Sequence, residues 1–402
     1  MHIALWSPAW PLEKHHNGIV TYVHWMKREL VRQGHRVSVF TSGAREDGDG
    51  PDVHRVERGF LGSAMRRVAG RLFSPEEDVF GWGRLAAEAM LRVHRSDPID
   101  IIEMEESFGW SSEVARVTSI PVLVKLHGPA FLTLVEEELA TAFGRERVKR
   151  EGLSFAHAEA IASPAAITLK QTIERYGLRP LIRGHVVNPM ASDANAPLWN
   201  AATCDRNTLL FVGRFDAPKG GDLVILAFAR LLETRPMLRL VFAGPDRGLR
   251  QPDGTLTSIN AFVAATVPAH LRDRVDFRGA LPQREVFSLR ADAALTFLAS
   301  RWENQGYTAL EAMLQGCPVV SSDAGGCPEI IEHGRTGLLA RTGDAVDLAS
   351  QLARMLDDPA AAAAMGAQAR RHVVENHAAD KVAAQSLALY EQVIAHRAAR
   401  PR

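Results

Sequence analysis

"NGIVTYVHWMKRELVRQGHRVSVFT", residues 17–41, carries the pattern on which the fold is read. Ile19, Val23, Met26 and Leu30 recur at helical spacing, and Gly34 ends the run. "RVSVFT" (36–41) then reads as a strand. Ahead of the helix, "HIALWS" (2–7) is a short apolar run suited to a buried strand, followed by a loop that holds Asn17 and Gly18. Strand, loop, helix and strand in so few residues form a βαβ crossover, which requires parallel pairing.

The same pattern returns at "IDIIEM" (99–104), "VLVKLH" (122–127) and "AIASP" (160–164). Between them, 44–97 is less regular and rich in Arg and Gly. Small and polar residues around 189–207 read as a linker. The alternation then starts afresh with "TLLFVG" (208–213), a helix over 222–233 with Asp222 as its N-cap, and "LRLVFAG" (238–244). It continues through "VDFRG" (275–279), "AALTFLA" (293–299), "PVVSS" (318–322) and "TGLLA" (336–340). The expected architecture is α/β: two facing, doubly wound, Rossmann-like parallel-sheet domains with a cleft between them. The expected boundaries are 1–190, a linker 191–207, a second domain 208–378 and a terminal helix 379–402. A chain of 402 residues fits two domains, because single cores stop growing at roughly 250–300 residues.

Composition narrows the function. Lys plus Arg and Asp plus Glu both count 47, which argues against a general nucleic-acid or polyanion binder. The three cysteines, Cys204, Cys317 and Cys327, show no metal-ligand spacing and fit a reducing cytoplasm. "MHIALWSPAWPL" lacks the charged start of a signal peptide, and no apolar run approaches the ~20 residues of a membrane span. A cytoplasmic protein is expected. Neither G-x-G-x-x-G after a strand nor G-x-x-x-x-G-K-[ST] occurs, which lowers the case for a dinucleotide dehydrogenase or an ATPase.

In open parallel sheets, ligands bind beyond the carboxyl ends of the strands, so residues just after strands are the candidates. "RFDAPKGG" (214–221) places Arg214 and Lys219 in one short loop before a helix, where backbone N–H groups and two cations suit a diphosphate. "SRWENQGYTALEAMLQGCPVV" (300–320) keeps Glu303 in a loop and Glu311 one turn inside the next helix. Gly306 and Tyr307 start that helix, so their N–H groups could also face phosphate. Glu303 could accept from sugar hydroxyls and Glu311 from vicinal hydroxyls such as those of a ribose. Gly325 and Gly326 permit close backbone approach to a ligand. Taken singly, each feature also reads as a solvated basic loop or a surface glutamate. Together they read as a nucleotide-sugar site.

At this point the chain resembles a known family. "GRFDAPKGG" (213–221), "FRGAL" (277–281), "SRWENQGYTALEAMLQGCPVVSSDAGGCPEII" (300–331) and "GRTGLL" (334–339) look like the C-terminal half of retaining glycosyltransferases of family 4, with the GT-B fold. Glu303 and Glu311 match that group's E-x7-E signature. Residues 15–41 resemble the family's Gly-containing first loop and following helix, with "KLHG" (125–128) and "VVNP" (186–189) as weaker matches. The likeness spans roughly 1–43 and 120–395.

The resemblance implies that Arg214 and Lys219 hold the donor diphosphate and stabilise the leaving group. It implies that Glu303 binds the transferred sugar and Glu311 the ribose, with Gln305, Gly306 and Tyr307 beside them. Backbone groups around Arg278–Leu281 would meet the base. Gly18 would let the first loop approach the phosphates, and His127 would line the cleft, as a binding residue or as a base. The family usually has a bulky apolar residue where Gln305 stands, and Ala191 replaces an acid often found after the Asn-Pro. The terminal helix would pack back on the N-terminal domain. No Asp-x-Asp stands at a strand end, so a metal-independent transferase without other cofactor is expected. It would use a nucleoside diphosphate sugar of UDP or GDP type and an unidentified small-molecule, glycan or lipid-linked acceptor. A GT-B-fold sugar-nucleotide epimerase or hydrolase, or a non-catalytic sugar-nucleotide-binding protein, is the alternative.

One stretch has no family match. "RGFLGSAMRRVAGRLF" (58–73) sets Leu61, Met65, Val68 and Leu72 on one helical face, with Arg58, Arg66, Arg67 and Arg71 mostly opposite. It could lie on an anionic membrane at the inner face or receive an anionic acceptor, or pack on the first sheet with solvated arginines.

Overall fold

The computed structural model describes residues 1–15, 17–43, 49–57, 81–178, 182–190, 196–251 and 253–399. The arginine-rich stretch 58–73 and Ala191 lie outside the described residues. The chain forms two compact units, Met1–Pro189 with Ala379–Arg402, and Met190–Ala378.

The first unit holds a seven-stranded parallel sheet. Its strands are β1 (His2–Ser7), β2 (Arg36–Ser42), β3 (Val53–Val56), β4 (Ile101–Glu105), β5 (Val122–Lys125), β6 (Ala160–Ser163) and β7 (Ile182–His185), in the order β3-β2-β1-β4-β5-β6-β7. Every residue of β1 and β4 is buried, as expected of strands covered on both faces. β3 and the helix Trp82–Ser96 fall in the stretch that read as irregular. The helix buries Gly83, Ala86, Ala87, Ala89 and Met90, so small residues carry its inner face and the apolar periodicity is faint. The terminal helix Ala379–Ala398 belongs to this unit: Tyr390 Oη donates to Glu103 Oε2 at 2.8 Å, and Arg397 Nη1 to Glu159 Oε1 at 2.8 Å.

The second unit holds a six-stranded parallel sheet and a small antiparallel ribbon. Its strands are β8 (Asp205–Val212), β9 (Arg239–Ala243), the ribbon β10 (Leu249–Arg250) with β11 (Leu256–Thr257), β12 (Val275–Gly279), β13 (Ala293–Phe297), β14 (Val319–Ser322) and β15 (Leu338–Ala340). The sheet order is β12-β9-β8-β13-β14-β15. β8 starts three residues before the expected Thr208. Asp205, Arg206 and Asn207 are polar and exposed, so pattern reading assigns them to the linker although Asp205 pairs with Ala293. The aromatic rings of Phe211, Phe215, Phe242 and Phe297 pack together beneath this sheet's helices, with centroids 4.5–6.0 Å apart. Met190 N donates to His377 O at 2.7 Å, so the chain enters and leaves this unit side by side.

In each sheet the first strand is interior, and the order reverses beside it. β1 pairs with both β2 and β4, and β8 with both β9 and β13. The loops after β8 and β13 therefore flank the second unit's topological switch point, where such sheets bind ligands. No helix among the described residues is long and apolar enough to cross a membrane.

Candidate active site

In the second unit, the loop after β8 runs from Gly213 to Gly220. Phe215 anchors it in the core, fully buried, with its N–H on the Pro245 carbonyl at 2.9 Å. Arg214 is left half-exposed, its Nε donating to Asp216 Oδ2 at 2.5 Å, while Asp216 Oδ1 accepts the Lys219 N–H at 2.9 Å. The turn into the helix Gly221–Thr234 needs Gly220: its φ is +68°, and a Cβ there would lie 1.9 Å from the Ala299 carbonyl oxygen.

Asp222 does not cap that helix, as the sequence suggested. Its carboxylate accepts two bonds from Arg301, at 2.8 and 2.6 Å, and Arg301 Nη1 also reaches the Ala217 carbonyl at 2.6 Å. The N-cap position is taken by left-handed Gly220, so no side-chain cap is made and Asp222 is free for the bidentate pair. Arg301 thereby laces the loop after β8 to the loop after β13.

That second loop carries Glu303. Its Oε1 forms an ion pair with Lys219 Nζ and accepts from Ser300 Oγ at 2.8 Å. Gly325 and Gly326 support this loop. Gly325 has φ +53°, a Cβ on it would stand 1.9 Å from the Glu303 carbonyl oxygen, and the Gly326 N–H donates to that oxygen at 2.9 Å. Gly306 is the N-cap of the helix Tyr307–Gln315, and a Cβ there would lie 3.4 Å from Glu303 Oε2. Gln305 is buried. The Tyr307 ring packs on the apolar cluster with Leu310 and Met313, and burial pushes its phenol pKa well up. Glu311, one turn on, accepts from Arg290 Nη2 at 3.1 Å and Gln283 Nε2 at 3.2 Å. Leu281 follows β12 and packs on Leu210, Val241 and Ala243.

In the first unit, Gly18 is the first residue of the helix Gly18–Arg32, not a loop residue. Asn17 caps that helix, accepting the Ile19 N–H at 2.8 Å, which draws Gly18 into the first turn. His127 follows β5. Its N–H and that of Gly128 both donate to the buried carboxylate of Glu106, at 2.9 and 2.6 Å, and its ring meets the Tyr22 ring edge-on at 5.1 Å. Burial, with the Lys125 ammonium nearby, pushes the His127 imidazole pKa down to about 3, so the ring is neutral at neutral pH. Beneath it, Lys125 donates to the Val186 carbonyl and stands 5.3 Å from the Tyr22 ring. Burial lowers Lys125 to about 8 and raises Glu103, its electrostatic partner.

Pattern reading gives no site role to Ser300, Arg301, Asp222 or Arg290, which the structure joins to the candidate loops and to Glu311. The signal for Arg301 and Ser300 was adjacency to Glu303. For Lys125 and Glu103 it was charge at buried strand positions, Lys125 at the end of the apolar run 122–124 and Glu103 in a strand that also carries Glu105.

Each unit thus holds a parallel sheet on the switch-point plan, with cations and carboxylates on the loops of the second. Comparison with known proteins gives the family. The model of the glycosyl transferases group 1 family matches residues 200–372, and that of the glycosyl transferase 4-like domain matches 17–189. The chain belongs to these group 1, family 4 glycosyltransferases. It is 29% identical to the D-inositol 3-phosphate glycosyltransferase of Acidothermus cellulolyticus, over 94% of this chain and 86% of that one. With the MMP alpha-(1->4)-mannosyltransferase of Mycolicibacterium hassiacum it shares 26% identity, over 99% and 100%. Among solved structures, the sucrose-phosphate synthase from Thermosynechococcus elongatus superposes with TM-score 0.76 at 23% identity, over 98% and 99%. Anabaena HepE, solved with UDP and glucose, gives 0.68 at 18% identity, over 98% and 100%.

Proposed function

We infer that this glycosyltransferase works with retention and without a metal ion, on a nucleoside diphosphate sugar of UDP or GDP type. The observation that carries the reading is the joining of Lys219 to Glu303 across the switch point, with Arg214 on the same loop. Negative charge grows on the diphosphate as the glycosyl bond breaks. Lys219, Arg214 and the N–H groups at Gly306 and Tyr307 are held in advance by the Asp216, Arg301 and glycine contacts, so they stabilise that charge with little reorganisation. Glu303 Oε1 is engaged by Lys219 and Ser300, and Oε2 is directed to hydroxyls of the transferred sugar. Glu311 takes the ribose, and backbone groups around Arg278–Leu281 the base.

The first unit takes the acceptor. A neutral His127 with so low a pKa is a weak base at pH 7, which supports a binding role for it. Names of the relatives, D-inositol 3-phosphate glycosyltransferase among them, favour a small hydroxylated acceptor.

A thermal-shift screen against UDP-, GDP-, ADP- and dTDP-sugars tests the donor class. A donor at ~100 times its dissociation constant stabilises the protein by ~2.7 kcal/mol. The shift should persist in excess chelator. No shift with any donor, or one that needs Mg²⁺ or Mn²⁺, contradicts the reading.

A further inference from the structure

We propose that Arg290 is a positioning residue that fixes the Glu311 carboxylate for ribose recognition. Arg290 lies on the helix Gln283–Asp292, under the helix that bears Glu311, and is fully buried. Its guanidinium divides between two acceptors: Nη1 donates to Gln315 Oε1 at 2.8 Å and Nη2 to Glu311 Oε2 at 3.1 Å. Gln315 is itself buried and cannot turn away. Its Nε2 donates to the carbonyls of Pro197 and Phe287, at 2.7 and 2.9 Å, which fixes its Oε1 toward Arg290.

The fork is thus set from below and holds one oxygen of Glu311, while Gln283 Nε2 holds the other at 3.2 Å. Each carboxylate oxygen keeps a further acceptor site. The Glu311 side chain is 15% exposed, against 0% for Arg290, so that remaining capacity opens to the outside. A buried guanidinium is costly without good partners, and a residue needed only for packing would be apolar. Lysine would not reproduce the arrangement, since a single ammonium lacks the planar fork that spans two acceptors. The geometry therefore assigns Arg290 to the orientation of Glu311.

This rests on the reading that Glu311 takes ribose hydroxyls, and the test separates the two. UDP, GDP and ADP are titrated by calorimetry into the full-length protein, each beside its 2′,3′-dideoxy counterpart. The quantity read is the affinity ratio of ribose to dideoxyribose within one protein, which a drop in folded fraction leaves unchanged. Glu311→Gln should reduce the wild-type ratio by about tenfold, the worth of a charged hydrogen bond. Arg290→Met should lose a similar factor, Arg290→Lys part of it, and Arg290→Met with Glu311→Gln no more than either alone. If Glu311→Gln loses the ratio while Arg290→Met and Arg290→Lys both keep it, Arg290 has no positioning role and the ribose reading stands. If Glu311→Gln keeps the ratio, the ribose reading fails and the proposal with it. Should Arg290→Met not fold, Arg290→Lys decides.

Discussion

Turnover should fall by ~10²-fold or more in Lys219→Ala, and by a similar factor in Arg214→Ala, as when one preorganised donor to a developing anion is removed. The two cations act on one diphosphate, so the double variant should lose less than the product of the single losses. The ion pair adds a second expectation. Lys219 also holds Glu303 Oε1, so Lys219→Ala and Glu303→Gln should be strongly non-additive in turnover, while Arg214→Ala, which pairs with Asp216 instead, should combine with Glu303→Gln more independently. Steady-state kinetics on the three single variants and their doubles measures this. A rise in Michaelis constant with turnover unchanged would show that the cations only bind the donor.

Lys125→Met should destabilise the first unit by ~1.5–3 kcal/mol, the worth of a hydrogen bond from a charged donor, and buried Glu103 would also lose the nearby ammonium charge. Glu103 would keep its carboxylate in the sheet interior with Tyr390 Oη as a donor, and the Val186 carbonyl would lose the ammonium that it accepts from. Tyr390→Phe removes one hydrogen bond and should cost only about 1 kcal/mol. A chain of two units need not unfold in one step, so a single unfolding midpoint is the wrong readout. Amide exchange in β4, β5 and the helix Ala379–Ala398 reads this unit alone. Adding Glu103→Leu to Lys125→Met should restore part of the loss, because both ends of the pair are then apolar. Unchanged protection in Lys125→Met would mean that the buried ammonium contributes nothing.

The sheets were legible because parallel strands buried on both faces are written as apolar runs. "HIALWS" and "TLLFVG" each became the interior strand beside which its sheet's order reverses. What pattern reading missed was polar or small. β3 is a four-residue edge strand carrying His54 and Arg55, and the first residues of β8 are exposed. The helix Trp82–Ser96 buries mainly alanine and glycine. At the site, Arg214, Lys219, Glu303 and Glu311 could be picked out by their places after strands. Their partners could not. Arg301 with Asp222 and Arg290 with Gln315 are joined over 79 and 25 residues of sequence, and spacing carries no sign of such contacts. Asp222 read as a cap because the rule for helix starts is local, whereas its partner is not. Gly325 and Gly326 read as a ligand approach, and spacing gave no sign of their contact with the Glu303 carbonyl.

The central claim is that a nucleoside diphosphate is held by the loops at the switch point of the second sheet. Hydrogen exchange followed by mass spectrometry, on the full-length protein with and without UDP, GDP or ADP, tests it most directly. The account predicts that the nucleotide that stabilises the protein slows exchange in 213–221 and 300–311, with a weaker effect in 278–281. Slowing in 213–221 should be lost in Lys219→Ala at the same nucleotide concentration. A nucleotide that binds and leaves both 213–221 and 300–311 exchanging as in the free protein would contradict it.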